Sequence, residues 1–261
     1  MPATDGDPEL YRFSSVDTGP DPGALIAFLE AHQTLAGLRS AKSAMLDQLR
    51  LGQARSALDV GCGLGDDLIE MARRLPPGGN ATGVDASQAM IGQARHRACG
   101  LGVDVCFETV DACRPERLLV HVPDPQRVIA EMTRVTRPGG RIAALDPDVG
   151  DVVVDHPDRE LTRVITHSFA GGAVAHSWIG RQLPRLFRRV GLTEVSASPV
   201  MVLTHLEFFQ MMFASHVRRL CSDGVLTSRQ ADHWWSELGR QAGSGDFLAG
   251  VLFFLVAATR P

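Results

Sequence analysis

Asp59, Gly61, Gly63 and Gly65 make a D-x-G-x-G-x-G pattern between the aliphatic run "ALDV" and a helical stretch. A strand that ends in glycines and leads into a helix presents main-chain N–H groups to an anionic or polar ligand. A dinucleotide turn, G-x-G-x-x-G, uses its third glycine for close helix packing and seats a pyrophosphate on the helix N-terminus. Here that third position is Asp66, followed by Asp67. Two carboxylates in a first helical turn complement the helix dipole and repel a pyrophosphate, which disfavours NAD. A second acid, Asp85, closes the next apolar run, where it can accept hydrogen bonds from both hydroxyls of a ribose. The turn amides and Asp59 can address a carboxylate and an ammonium. The ligand these groups describe has a ribose and an amino-acid tail without a phosphate, and S-adenosylmethionine (SAM) fits that description.

The elements that must position these residues follow from periodicity. From residue 56 onward, strand-like runs alternate with helical patterns, the signature of a parallel sheet covered by helices on both faces. Strands are expected at 57–60, 81–85, 103–107 and 141–145. Helices are expected near 66–75, at 87–98 with Ser87 as N-cap, and at 126–137, ended by "RPGG". Residues 1–20 read as an irregular arm, and 23–50 as helices. After 150 the pattern turns helical, with one strand near 193–198 and a closing apolar strand at 247–258. Thr204 with Glu207, and Thr227 with Gln230, have capping-box spacing, so helices are expected to start there.

These residues carry a resemblance. "LDVGCGLGDD", "GVDAS", "HVPDP" and "RVTRPGGRIAALDPD" look like the class I SAM-dependent methyltransferases, in particular the small-molecule group related to ubiquinone and menaquinone methyltransferases (methyltransferase type 11). The likeness covers roughly residues 40–200, and the closing strand also fits. It implies an α/β, Rossmann-like, doubly wound seven-stranded sheet in the order 3-2-1-4-5-7-6 with the last strand antiparallel. It also implies Gly61 and Gly63 against the methionine tail, Asp85 on the ribose, and Ala86 and Met90 beside the adenine. The cofactor-binding set expected is Asp59, Gly61, Cys62, Gly63, Asp85, Ala86, Met90, Asp111 and Arg114. One domain over 1–261 is expected: arm and helices in 1–50, the SAM-binding core in 51–150, a helical cap for the substrate in 151–190 and 201–245, and a C-terminal strand in 246–261.

The segment "FETVDACRPERLLVHVPDP", 107–125, departs from the family. One "VDA" must serve both as the loop acid after strand three and as the start of strand four. A parallel crossover needs on the order of a dozen or more residues, and strands three and four lie on opposite sides of strands one and two. Either a loop is missing or one strand is given up, and the third, at the sheet edge, is the one expected to be lost. Asp111 is the adenine-side acid if the deletion follows it, and part of strand four if the deletion precedes it.

Methyl transfer from a sulfonium is an in-line displacement, governed by positioning and exclusion of water. A base is needed only when the nucleophile carries a proton, and His121, at the carboxyl edge of the sheet, is the candidate. The alternative for His121 is a turn-fixing hydrogen bond. His167, His176 and His205 lie in the cap. The helix "HLEFFQMMF", apolar around most of its girth, is either fully buried or faces a hydrophobic acceptor; Trp178 and Arg181 are candidates for the same wall.

Composition bounds the rest. The chain has 261 residues, 44% hydrophobic, with a formal charge of -4, so no nucleic-acid partner is expected. Five cysteines with no C-x-x-C pair encode neither a disulfide framework nor a metal site, which fits a reducing cytoplasm. No signal peptide is expected, and "FLAGVLFFLVAA" is too short to cross a membrane. The expected partner is a small-molecule substrate, with the chain a monomer or homodimer. The function expected is methyl transfer to a small hydrophobic acceptor at O, C or N. The alternatives are a SAM-binding protein without transfer activity, in a cyclase-like or scaffold role, and an NAD-dependent oxidoreductase.

Overall fold

The computed structural model describes residue 17 and residues 22–109, 118–171 and 175–261. Two helices come first, α1 (Pro22–Thr34) and α2 (Ala36–Gln48). Leu25, Phe28, Leu29 and Leu38 of these helices enter the largest apolar cluster, while Leu46 enters a different one, so α2 spans two parts of the core.

The next five elements alternate as their periodicity demands: β1 (Ser56–Val60), α3 (Asp66–Arg74), β2 (Asn80–Asp85), α4 (Gln88–Gly100) and β3 (Cys106–Thr109). The strands pair in parallel in the order β1-β2-β3, with Val60 opposite Val84 and Asp85 opposite Thr109. Acids in the first turn of α3 and arginines in its last turn suit the helix dipole. Ser87 caps α4 as expected, its side chain accepting from the Met90 amide at 3.1 Å.

A short helix, α5 (Leu118–His121), leads to α6 (Pro125–Val135), which is capped by Asp124 with Pro125 at its start. The remaining elements are β4 (Arg141–Val154), α7 (Arg159–Ala170), α8 (Ile179–Arg189), β5 (Thr193–Thr204), α9 (Leu206–Ser222), α10 (Ser228–Ser244) and β6 (Ala249–Thr259). β6 lies between β4 and β5, antiparallel to both. Against this sheet α7, α9 and α10 bury an aromatic stack in which Phe213 lies 4.2 Å from Phe169 and 4.5 Å from Phe209. Trp234, fully buried, donates from Nε1 to Thr162 Oγ1 at 3.1 Å.

The α/β Rossmann-like architecture is as expected, but one continuous seven-stranded sheet is not what forms. Among the described residues there are six strands in two three-stranded sheets. Their orders match the two ends of 3-2-1-4-5-7-6, antiparallel last strand included. The third strand, which one of the two alternatives gives up, is present, starting at Cys106 rather than at 103. Among the described residues it is the fourth that has no counterpart: only positions 110–117 separate β3 from α5, too few for a crossover past β2 and β1. Asp111 and Arg114 lie outside the described residues.

Two boundaries also move. The strand expected at 141–145 continues to Val154, because residues 146–148 and 152–154 find partners along β6, with a register shift between Asp148 and Val152. The cap helices therefore begin at Arg159, not at 151. β5 runs on to Thr204, which pairs with Ala249, so His205 rather than Thr204 caps α9, its Nδ1 accepting from the Phe208 amide at 3.3 Å. The Thr227–Gln230 capping box forms as the spacing predicts.

Candidate active site

The glycine turn stands at the carboxyl end of β1. Gly61, Gly63 and Gly65 have φ of 76°, 50° and 80°, the left-handed region that favours glycine. At Gly65 the requirement is also spatial: a Cβ there would lie 2.8 Å from the Phe107 ring and 3.0 Å from the Ala94 methyl. Asp85, fully buried, organises the turn. Its Oδ2 accepts from the Gly63 amide at 2.9 Å and its Oδ1 from the Ser87 amide at 2.9 Å. The Gly61 and Cys62 amides both donate to the Val84 carbonyl, so these turn amides are engaged within the protein. Asp85 is not among the residues that line the cleft of β1 and β4. Ala86 is half-buried and Met90 fully buried beside it.

Asp66 and Asp67 have a structural role that the sequence did not reveal. Asp66 accepts from Gln33 of α1 and Arg97 of α4, at 3.3 Å each, and Asp67 pairs with Lys42 of α2 at 2.9 Å. The N-terminal helices are thereby fastened to the helix that follows the glycine turn. Asp17, in a stretch without periodicity, does the same for α4. It accepts from Ser87 Oγ at 2.6 Å and from the Gln88 and Ala89 amides at 2.7 and 3.2 Å. Burial works against its charge, yet these hydrogen bonds outweigh that effect and hold the carboxyl below its ordinary range.

A cleft of about 600 Å³ is lined by residues of β1 and β4. Asp59, Gly61 and Cys62 line one wall, Leu145 and Asp146 the other. Asp146, buried, accepts from the Val120 amide at 3.2 Å and so ties α5 to β4. Residues 56–60 belong to an edge strand here, and Leu58 is 43% exposed.

A smaller apolar chamber of about 40 Å³ lies beside it, walled by Phe28, Phe169, Phe208, Met212, His121 and His32 among others. His121, half-buried at the end of α5, lines this chamber. The buried Phe208, Phe209, Met212 and Phe213 show that α9 turns its aromatic face inward, with Phe208 and Met212 reaching the chamber. Trp178 is 55% exposed and lines neither cavity. Arg181, which also lines neither, pairs with Asp148 and Asp151; the hydrogen bond it donates to Asp148 is the main reason its pKa is raised.

His32 and Asp146 were not singled out from sequence. The signal for His32 was available: it lies four residues after Phe28 on a helix, so both share one face. No group of three His, Cys, Asp or Glu side chains among the described residues is arranged to hold a metal ion, and no helix among them is long and apolar enough to cross a membrane.

Residues 52–191 match the family model described as "Methyltransferase domain". The chain belongs to that family and is a SAM-dependent methyltransferase. Among its relatives, the "uncharacterized 37.1 kDa protein" of transposon Tn4556 in Streptomyces fradiae is 35% identical over 251 residues, covering 89% of this chain and 70% of the relative. A demethylmenaquinone methyltransferase of Halalkalibacterium halodurans is 27% identical over 181 residues, covering 59% and 74%. The crystal structure of the YcgJ protein from Bacillus subtilis has the same fold, with a TM-score of 0.55 at 14% identity over 85% of this chain and 99% of that one. The 251 positions aligned with the Streptomyces relative fall on 89% of a 261-residue chain, so the relative carries residues that this chain lacks.

Proposed function

We propose that this methyltransferase acts on a small, apolar acceptor, with the cofactor's amino-acid tail at the glycine turn and an apolar part of the acceptor against the aromatic residues under α9. The observation that carries the reading is the contiguity of two unlike surfaces. The cleft has a carboxylate and a glycine turn at its wall, and the chamber beside it is almost wholly aromatic and aliphatic.

In this reading Asp59, Gly61, Cys62 and Gly63 hold the methionine portion, Asp85 takes the ribose hydroxyls, and Ala86 and Met90 flank the adenine. Bound SAM supplies an electrophilic methyl group on a sulfonium. The chain's own contribution is orientation and dryness: Phe28, Phe208 and Met212 exclude water from the acceptor, and α5 is held in place by Asp146. A proton-bearing nucleophile also needs a base, and the chamber wall offers His121 and His32. The name of the Halalkalibacterium relative supports a quinone-like acceptor.

A thermal-shift panel tests the cofactor: SAM and S-adenosylhomocysteine should raise the melting temperature, and NAD should leave it unchanged. Stabilisation by NAD alone overturns the reading. Transfer of labelled methyl from SAM to a naphthohydroquinone tests the acceptor class, and full turnover by His121→Ala removes His121 as a base.

A further inference from the structure

Three hydrogen bonds run in series from Asp17 to the glycine turn. Asp17 Oδ1 accepts from Ser87 Oγ at 2.6 Å, the Ser87 amide donates to Asp85 Oδ1 at 2.9 Å, and Asp85 Oδ2 accepts from the Gly63 amide at 2.9 Å. Ser87 Oγ also accepts from the Met90 amide, so its single hydrogen is the one it gives to Asp17, and its rotamer is fixed from both sides. Asp17 takes two further orphan amides of this first turn, those of Gln88 and Ala89, at the end of α4 where the helix dipole favours a negative charge. Asp17 is itself exposed, stands 70 positions from Ser87 in the chain and lines neither cavity. Whatever it contributes to the glycine turn passes through Ser87 and Asp85.

We propose that Asp17 is a positioning residue for the cofactor: by locking Ser87 it holds Asp85 against the Gly63 amide, and so keeps the glycine turn in the shape that receives SAM. The inference rests on the reading that places the cofactor's amino-acid tail at the glycine turn. With Asp17 undocked, the turn spends part of its time in other shapes, and the apparent affinity falls with the fraction of molecules that remain competent to bind. The coupling is reciprocal, so bound cofactor in turn holds Asp17 on α4.

S-adenosylhomocysteine, titrated by calorimetry into the full chain, is the probe, with ¹H–¹⁵N spectra of the same samples. In the wild type its binding should move the amides of Gly61, Cys62 and Gly63. Asp17→Ala should weaken binding roughly fivefold, the low end of such couplings, and should shift the Gly63 amide, which Asp17 does not touch. Asp17→Asn, whose amide oxygen still accepts, should recover part of the loss. Thr227→Ala, a lesion at the start of α10, should leave both the affinity and the Gly63 amide unchanged, which separates positioning from a general loss of stability. No binding, or binding that leaves the three turn amides unmoved, overturns the placement of the cofactor and this inference with it. If the turn amides do respond, four results overturn the role of Asp17 alone: wild-type affinity in Asp17→Ala, an unmoved Gly63 amide in that variant, no recovery in Asp17→Asn, or an equal loss in Thr227→Ala.

Discussion

The parallel and antiparallel sheets divide the work of this molecule unequally. β1, β2 and β3 have five, six and four residues, whereas β4, β5 and β6 have fourteen, twelve and eleven. The long strands back an aromatic core in which Phe169, Phe209, Phe213 and Trp234 are fully buried. The short ones rest on a separate cluster of smaller aliphatic side chains around Leu68, Ile91 and Phe107, and β1 has a partner on one side only. The glycine turn and Asp85 belong to the lightly built sheet, the apolar chamber mainly to the heavily built one. Local opening is expected first in the lightly built sheet, where among the described residues β1 is an edge strand. α2 joins the halves, through Lys42 to Asp67 and through the Gln48 carbonyl, which accepts from Arg141 Nε at 2.9 Å.

The largest effect should come from the aromatic core. Phe213→Ala removes a ring stacked on two others and should cost about 4 kcal/mol in urea unfolding. Hydrogen exchange should place the loss in α7, α9, α10 and β6. Equal acceleration in β1–β3 would show that the halves open as one unit.

The same half should carry an acid-sensitive element. His216 is buried, and burial, followed by the charge of Arg219, lowers its pKa from 6.5 to about 4, against a hydrogen bond at the Ile165 carbonyl that raises it. The unfolded chain binds this proton first, so stability is undiminished above pH 6.5 and falls as pH drops towards 4. The loss is on the order of 3 kcal/mol across that window. His216→Gln should flatten the acid limb of the stability curve, and an unchanged limb would remove His216 as its cause.

Gly65→Ala probes the other half. It forces a side chain into the left-handed region and against Phe107, at a cost of about 2–3 kcal/mol. Here the faster exchange should appear in β1–β3 and α4, with stabilisation by S-adenosylhomocysteine reduced, while the aromatic core stays protected.

What was legible from sequence follows the same division. The parallel half could be read closely because its signals are local: a glycine turn after an aliphatic run, an acid closing the next strand, Ser87 before a helix. The shortage at 107–125 was also visible, but not which strand it removes. That is decided by strand order in space, since β3 can pair with β2 by itself whereas a fourth strand needs chain enough to pass both β2 and β1. In the antiparallel half, "LDPDVGD" does not alternate like a strand, and only pairing with β6 extends β4 through it. Of the candidate site, Asp59, Gly61, Cys62 and His121 reach the two cavities. The internal hydrogen bonds of Asp85 and the anchoring by Asp17 depend on contacts between distant segments, which periodicity does not encode.

The smallest effect tests whether a surface lesion in the heavily built half stays local. Thr227 and Gln230 satisfy each other's backbone at the start of α10: the Gln230 amide donates to Thr227 Oγ1 at 3.2 Å, and the Thr227 amide to Gln230 Oε1 at 2.9 Å. Thr227→Ala leaves an amide without its cap and should cost about 1 kcal/mol, with Thr227→Ser recovering most of it. Because Trp234 and Leu238 anchor the later turns of α10 in the core, exchange should accelerate in its first turn and nowhere else. Acceleration reaching Trp234 would mean that the aromatic core is less cooperative than its packing implies, and the contrast between the two sheets would then lose its basis.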